Sequence, residues 1–186
     1  MTSSPRLGLA LGSGASRGWS HIGVIDALVA EGIEPDIICG TSVGAMMGAA
    51  YVAGNLDGLR EWVLESHRSD VYRFLDIKFS QTGFVNVERL DRFIHDYVVD
   101  HETNIEDLPK PFLAVTTCLN TGQEIWSRSG HVAKWIRASM SMPGLFPPVR
   151  EKGRWLVDGG LVNPVPVTAC RALGADIVIA VNLNSD

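Results

Sequence analysis

Short apolar runs that end in glycine alternate with longer runs whose apolar positions recur every three or four residues. Arg6 to Leu11 reads as a buried strand, and Gly12-Ser13-Gly14-Ala15-Ser16-Arg17-Gly18 as the flexible loop after it. From about Trp19 to Glu31, Ile22, Ile25 and Ala27-Leu28 fall on one helical face, with Gly32 as the stop. Asp36 to Cys39 is expected to form a second strand. Val43 to Ala53 comes next as a small-residue helix closed by Gly54, and Leu56 to His67 as a further helix. Strand–helix–strand–helix is the opening of a parallel sheet covered by helices, so the pattern predicts an α/β fold.

The middle of the chain is less regular. Arg68 to Phe84 is aromatic and poorly periodic and reads as a loop or lid-like excursion. Val87, Leu90, Ile94, Tyr97 and Val98 make one apolar helical face, and Phe112–Leu119 a strand after the breaks at Pro109 and Pro111. Asn120-Thr121-Gly122 is a turn signal, with Gln123–Ser127 as the returning hairpin arm. Val132 to Met140 is helical, and Pro143, Pro147 and Pro148 break the chain after it. Arg154–Val157 is a short strand leading into Asp158-Gly159-Gly160. Pro164 to Leu173 reads as a helix with proline in its first turn, and Ile177 to Leu183 as a last strand.

Composition narrows the class. With 186 residues, 46% hydrophobic and 20% charged, the chain is expected to fold as one domain over 1–186. A formal net charge of −5 and the lack of a basic stripe along the sequence speak against nucleic-acid binding. The same balance speaks against attachment to anionic lipid by charge alone. Cys39, Cys118 and Cys170 are odd in number, widely spaced and set among apolar residues, the pattern of reduced thiols in a cytoplasmic protein. No apolar run has the length of a membrane span, and the N-terminus makes a poor signal peptide.

Gly40-Thr41-Ser42-Val43-Gly44 carries the strongest chemical signal. A strand feeding Gly-x-Ser-x-Gly and then a helix forces a sharp turn with the serine exposed at its tip, so Ser42 is the candidate nucleophile. Loops leaving adjacent parallel strands meet at one edge of the sheet, which brings the Gly12–Gly18 loop beside Ser42. Its small residues Ser13, Gly14, Ala15 and Ser16 let backbone N–H groups face a negative oxygen, as an oxyanion hole requires; a plain glycine turn or a phosphate loop fits the same residues. A base is harder to find. His21, His67, His95, His101 and His131 all precede Asp158, so the order Ser–acid–His has no histidine to end on. Asp158 can serve directly if burial raises its pKa; an ordinary Asx turn is the alternative.

The blocks Gly12–Gly18, Gly40–Gly44 and Asp158-Gly159-Gly160, in that order, resemble the patatin-like phospholipase family, in character nearest its bacterial members and the neuropathy target esterase catalytic domain. The stretches Ile136–Pro148 and Asn163-Pro164-Val165-Pro166 extend the likeness over nearly the whole chain. The resemblance implies a three-layer α/β/α sandwich with a mainly parallel central sheet. It also implies a lipid acyl hydrolase of phospholipase or lysophospholipase type. Ser42 and Asp158 would form a Ser–Asp dyad, and the Gly14/Ala15 loop the oxyanion hole. Gly12, Arg17, Gly18, Gly40, Gly44, Gly159 and Gly160 would support the motifs, with no metal or organic cofactor. A lipid or lysophospholipid is the implied partner, with peripheral membrane contact. Ser13 and Ala15 stand where many members have glycine, so a positive φ at Ala15 would be strained. The family domain usually runs on past Ile177–Leu183, so elements of it are expected to be missing here.

Other residues suggest roles that plainer readings explain. His21 reads as a structural helix histidine, and Arg17 as a loop anchor more readily than a lipid-phosphate ligand. The five tryptophans read as core or half-buried packing, with Trp62, Tyr72 and Phe74 as candidates to flank an acyl groove. Met46, Met47, Met140 and Met142 read as core. His95 and His101 with Asp96 and Asp100 are too irregularly spaced to favour a metal set. Two rival functions fit parts of the pattern. One is a dinucleotide-binding oxidoreductase built on Gly12-x-Gly14; the other is a catalytically silent interaction module on the same fold.

Overall fold

The computed structural model describes residues 4–66 and 87–184. The apolar runs become β1 (Leu7–Leu11), β2 (Ile37–Thr41), β3 (Phe112–Cys118) and β7 (Ile177–Val181). These four pair in parallel as β7-β1-β2-β3. Three more strands run beside β3. They are β4 (Glu124–Ser127), β5 (Val149–Glu151) and β6 (Arg154–Asp158), with β4 and β6 antiparallel to β3 and β5 antiparallel to β6. The helices are α1 (Ser20–Ala30), α2 (Val43–Ala53), α3 (Leu56–Glu65), α4 (Val87–Tyr97), α5 (Val132–Ser139) and α6 (Val167–Ala172).

Strand periodicity divides the core in two. Leu9, Leu11, Ile38, Phe112 and Ala114 point to one face, where α1 to α5 bury their apolar stripes. Ala10, Ile37, Cys39, Leu113 and Val115 point to the other, where, among the described residues, the short α6 alone brings helical cover with Ala169 and Cys170. The result is an α/β fold with helices on both faces of a mostly parallel sheet, very unequally shared. α6 packs on β1, β2 and β7, so the β4–β6–β5 end of its face has no helix over it among the described residues.

Several sequence expectations shift by a turn. The first helix is preceded by a 3₁₀ turn over Ala15–Trp19, which takes up the end of the glycine loop. β2 runs on to Thr41 and delivers Ser42 without an intervening loop. Pro166 precedes the first residue of α6, whose start the sequence pattern sets too early, because the segment before it instead supplies the Asn163 carbonyl to Thr41 of β2 and the Pro164 carbonyl to Ser13 of the glycine loop. Trp19 and Trp62, distant in sequence, meet at 5.5 Å, and Trp62 packs on Phe93 at 4.8 Å. Trp126 and Trp155 are the more open of the tryptophans, 37% and 41% exposed, on the end of the sheet that α6 leaves open. The three cysteines are buried and free, and the neighbouring Cys170 thiol, together with burial, holds Cys39 well above the ordinary thiol range. His95 and His101 stack at 4.0 Å on the surface. His67, Tyr72, Phe74 and the expected excursion over 68–84 lie outside the described residues.

Gly44 meets the tightest backbone constraint, because a Cβ there would overlap the Leu11 and Gly12 carbonyls. Gly44→Ala is expected to destabilise the protein by roughly 2–4 kcal/mol, or to prevent folding, as read by chemical denaturation.

Candidate active site

The register of β3 brings the site together. Val115 is flanked by Thr41 of β2 and Trp126 of β4, and Thr116 by Asp158 of β6 and Ile125 of β4. Since β4 keeps one edge of β3, β2 and β6 share the other edge and meet head to head. Ser42 comes directly after Thr41 at that junction and Asp158 ends β6 there, so residues far apart in the chain reach the same level of the sheet.

The turn at Ser42 is strained as the motif requires. Ser42 has φ 57° and ψ −125°, a region that side-chain-bearing residues rarely enter and that costs on the order of 1–3 kcal/mol. A Cβ on Gly40 would overlap the Ala45 backbone, so both flanking glycines are required by contact. The Ser42 N–H donates to Ser139 Oγ at 2.8 Å, and Ser139 Oγ donates to Val115 O at 2.6 Å. The Ser42 hydroxyl donates to Asp158 Oδ2 at 2.6 Å.

Asp158 is 1% exposed. Its Oδ1 accepts from Gly160 N–H at 2.7 Å, its N–H donates to Ser141 O at 2.9 Å, and Thr117 Oγ1 donates to its carbonyl at 2.8 Å. Burial pushes its pKa up from 3.8 to about 6, against the opposing pull of the Ser42 and Gly160 hydrogen bonds. A carboxylate so placed can take the hydroxyl proton near neutral pH.

The glycine loop lies beside this pair, in one cavity with Ser42 and Asp158. Ala15 has φ 46°, the strained conformation the sequence raised. The Ser13 N–H is committed to Pro164 O at 2.8 Å, whereas no acceptor meets the N–H of Gly14, Ala15 or Ser16 among the described residues. Gly12 N–H donates to Val181 O at 3.0 Å. His21 is buried, with Nε2 2.8 Å from Gly12 O, and burial lowers its pKa, so it holds the loop as a neutral ring. Arg17 Nη2 donates to Asn184 Oδ1 at 3.2 Å, and Asn184 Nδ2 donates to both the carbonyl and the hydroxyl of Ser13 at 3.0 Å.

Met140 and Met142 line the cavity with Leu90 and Phe146; the core expectation holds for Met46, Met47 and Met140, whereas Met142 is 37% exposed. Their segment leaves α5 and is tied to the strand carrying Asp158 by the Asp158 N–H, which donates to Ser141 O. Sequence reasoning also gave no role to Ser139, which lies inside the Ile136–Pro148 block, or to Thr117 and Asn184, which lie outside every recognised block. No acid stands at the end of β2, so a dinucleotide site would lack its ribose anchor.

The family model for patatin-like phospholipases matches residues 9–171. The chain belongs to the patatin-like phospholipase family. It is 40% identical over 183 residues to an uncharacterised NTE family protein of Mycobacterium tuberculosis, covering 98% of this chain and 50% of that protein. It is 35% identical over 184 residues to the lysophospholipase nte1 of Emericella nidulans, covering 96% of this chain and 12% of that one. The patatin-like chain thus spans half or less of the curated relatives it matches. Its fold also matches the crystal structure of VipD from Legionella pneumophila, with a TM-score of 0.51 at 16% identity over 87% of this chain and 47% of that one. Among the described residues of this family member, no helix is long and apolar enough to cross a membrane.

The raised pKa of Asp158 has a stability consequence. The folded state binds this proton more tightly than the unfolded chain, so the associated stability is fully present below about pH 4 and is lost as pH rises through about 6. Asp158→Asn removes that penalty. It is expected to stabilise the fold by about 1–3 kcal/mol above pH 7, with the gain vanishing below pH 4, in thermal melts across pH.

Proposed function

We propose that this patatin-like protein is a serine hydrolase of lipid acyl esters, with Ser42 as nucleophile and Asp158 as its base. The observation that carries the reading is the 2.6 Å hydrogen bond from the Ser42 hydroxyl to a buried carboxylate. The family membership and the lysophospholipase relatives support a lipid ester as the substrate class.

In the proposed reaction Ser42 Oγ attacks the ester carbonyl as its proton passes to Asp158 Oδ2. The carbonyl oxygen becomes an oxyanion facing the free N–H groups of the Gly14–Ser16 loop, each such donor being worth on the order of 3 kcal/mol. The bond to the leaving alcohol then breaks, and Asp158 returns the proton to that alcohol. Water attacks the resulting acyl-enzyme, giving its proton to Asp158. Collapse of the second tetrahedral species breaks the bond to Ser42, which recovers the proton. Leu90, Met140, Met142 and Phe146 give the acyl chain an apolar wall. The step needs no metal or organic cofactor. We place the activity in one domain and, by the lipid reading, at a membrane periphery.

A fluorophosphonate probe tests the assignment. Wild type is expected to label at Ser42 and Ser42→Ala not at all, with Asp158→Asn slower by on the order of 10²–10⁴-fold. Undiminished labelling of Ser42→Ala rejects the nucleophile. The hydrolysis rate on a short-chain ester is expected to fall as pH drops through about 6, where Asp158 takes up a proton. Asn184 acts through Ser13 and is a positioning residue. Fixing the Ser13 carbonyl also fixes the Gly14 N–H, because the two lie on opposite sides of one planar peptide. Asn184→Ala is expected to lower kcat by on the order of ten- to a hundredfold, with KM nearly unchanged in steady-state assays.

A further inference from the structure

The protein carries a net charge of −5, yet its cations are not evenly spread. Arg150, Lys152 and Arg154 lie on the β5–β6 hairpin, and Arg128 joins Lys152 and Arg154 around one cleft at the edge of β4. All four are exposed, and none belongs to an ion pair among the described residues. Nearby acids are largely engaged: Glu151 pairs with Lys134, and Glu124 accepts from Trp126 Nε1 and Asn163. The cluster therefore keeps a positive balance on an acidic protein.

Two tryptophans accompany it. Trp126 faces the same side of the sheet as its partner Val115. Trp155 shares that side, because it lies two residues from Val157, which pairs with Thr117, itself two residues from Val115. Arg150 pairs with Trp155 across the hairpin and sits over its ring at 5.6 Å. This is the end of the sheet face that α6 leaves open. An amphipathic indole beside long cationic stems suits the boundary between apolar chains and charged headgroups.

The direction of the hairpin matters equally. β6 runs antiparallel to β3 and reaches the level of Ser42 only at its last residue, Asp158. Its first residues and the Lys152–Gly153 turn therefore project beyond the carboxyl end of β3, on the sheet edge where Ser42 sits.

We infer that the β5–β6 hairpin with Trp126 and Arg128 is a docking surface for an anionic lipid bilayer, placing the Ser42 edge toward the membrane. The occupant follows from charge complementarity: Arg150 over the Trp155 ring, Lys152 at the hairpin turn, and Arg154 and Arg128 around the adjoining cleft that Trp126 also lines bring unpaired cations and exposed indoles to one rim, matching a sheet of anionic headgroups over acyl chains. The inference takes its orientation from the lipid-hydrolase reading, but docking itself is measured without turnover.

Binding of the Ser42→Ala protein is monitored by co-sedimentation with phosphatidylcholine vesicles, with and without about one-third phosphatidylglycerol. Tight binding is expected only with the anionic vesicles, weakening in high salt. Each cation removed is expected to cost roughly fivefold in affinity, so replacing Arg128, Arg150, Lys152 and Arg154 by Gln together costs on the order of 10²–10³-fold. The Trp126→Ala/Trp155→Ala pair, in the otherwise unchanged chain, weakens binding to the same vesicles and keeps its hydrolysis of a monomeric water-soluble ester. Circular dichroism and that ester assay identify variants that fail to fold. The inference is overturned if folded quadruple-variant protein binds like its parent, or if both vesicle types bind alike. It is also overturned if the patch mediates self-association instead of vesicle binding. Loss of fluorophosphonate labelling specificity would reject the catalytic reading alone and leave these results standing.

Discussion

The site depends on a shared edge. β3 offers one of its sides to two strands in succession, β2 running one way and β6 the other, and their ends abut between Val115 and Thr116. That junction brings a hydroxyl from one strand end against a carboxyl from the other at 2.6 Å, with no helix needed to carry either group. It also buries the carboxyl. Desolvation raises the proton affinity of Asp158 and makes the contact chemically useful; in water the same pair would be an ordinary serine beside a fully ionised acid.

Such a junction is costly, and the surrounding structure offsets the cost. Ser42 and Ala15 both occupy positive-φ conformations. Around Ser42, the Ser139 hydroxyl accepts from the strained N–H and donates in turn to Val115 O, tying α5 to the central strand. Around Asp158, Ser141 O and Thr117 Oγ1 hold the main chain while Gly160 holds the carboxyl. Around Ala15, the anchors are Pro164, Val181, His21 and Asn184. The loop is therefore fixed by the distal part of the chain, including residues beyond the family match at 9–171. Rigid placement of unused N–H groups is what an oxyanion site needs, since donors that must reorient lose much of their value.

The uneven layering has a second consequence. Five helices crowd one face and close a core around the small-residue helix α2, whose glycines and alanines let it lie close against β1 and β2. Among the described residues the opposite face is covered by α6 at one end, and its other end displays tryptophan and arginine. Thus the helix-rich face supplies the apolar wall of the cavity while the helix-poor face supplies an open surface.

Local signals were legible in the sequence. The Gly40–Gly44 turn, the glycine loop and the order of parallel strands arise from steric rules that act within a few residues, so Ser42 and the neighbouring loop could be named from the pattern. Even the strain at Ala15 was readable, because only φ > 0 without glycine produces it. Asp158 was different: its flanking glycines fitted an ordinary turn equally well, and family resemblance favoured it over that reading. What only the tertiary structure decided is long-range: that β6 ends against β2, that Ser139 and Asn184 hold the strained turns, that Met140 and Met142 line the cavity, and that cations scattered over residues 128–154 gather on one rim. These are consequences of strand register and burial, which depend on contacts between distant residues and leave no periodic trace in the chain.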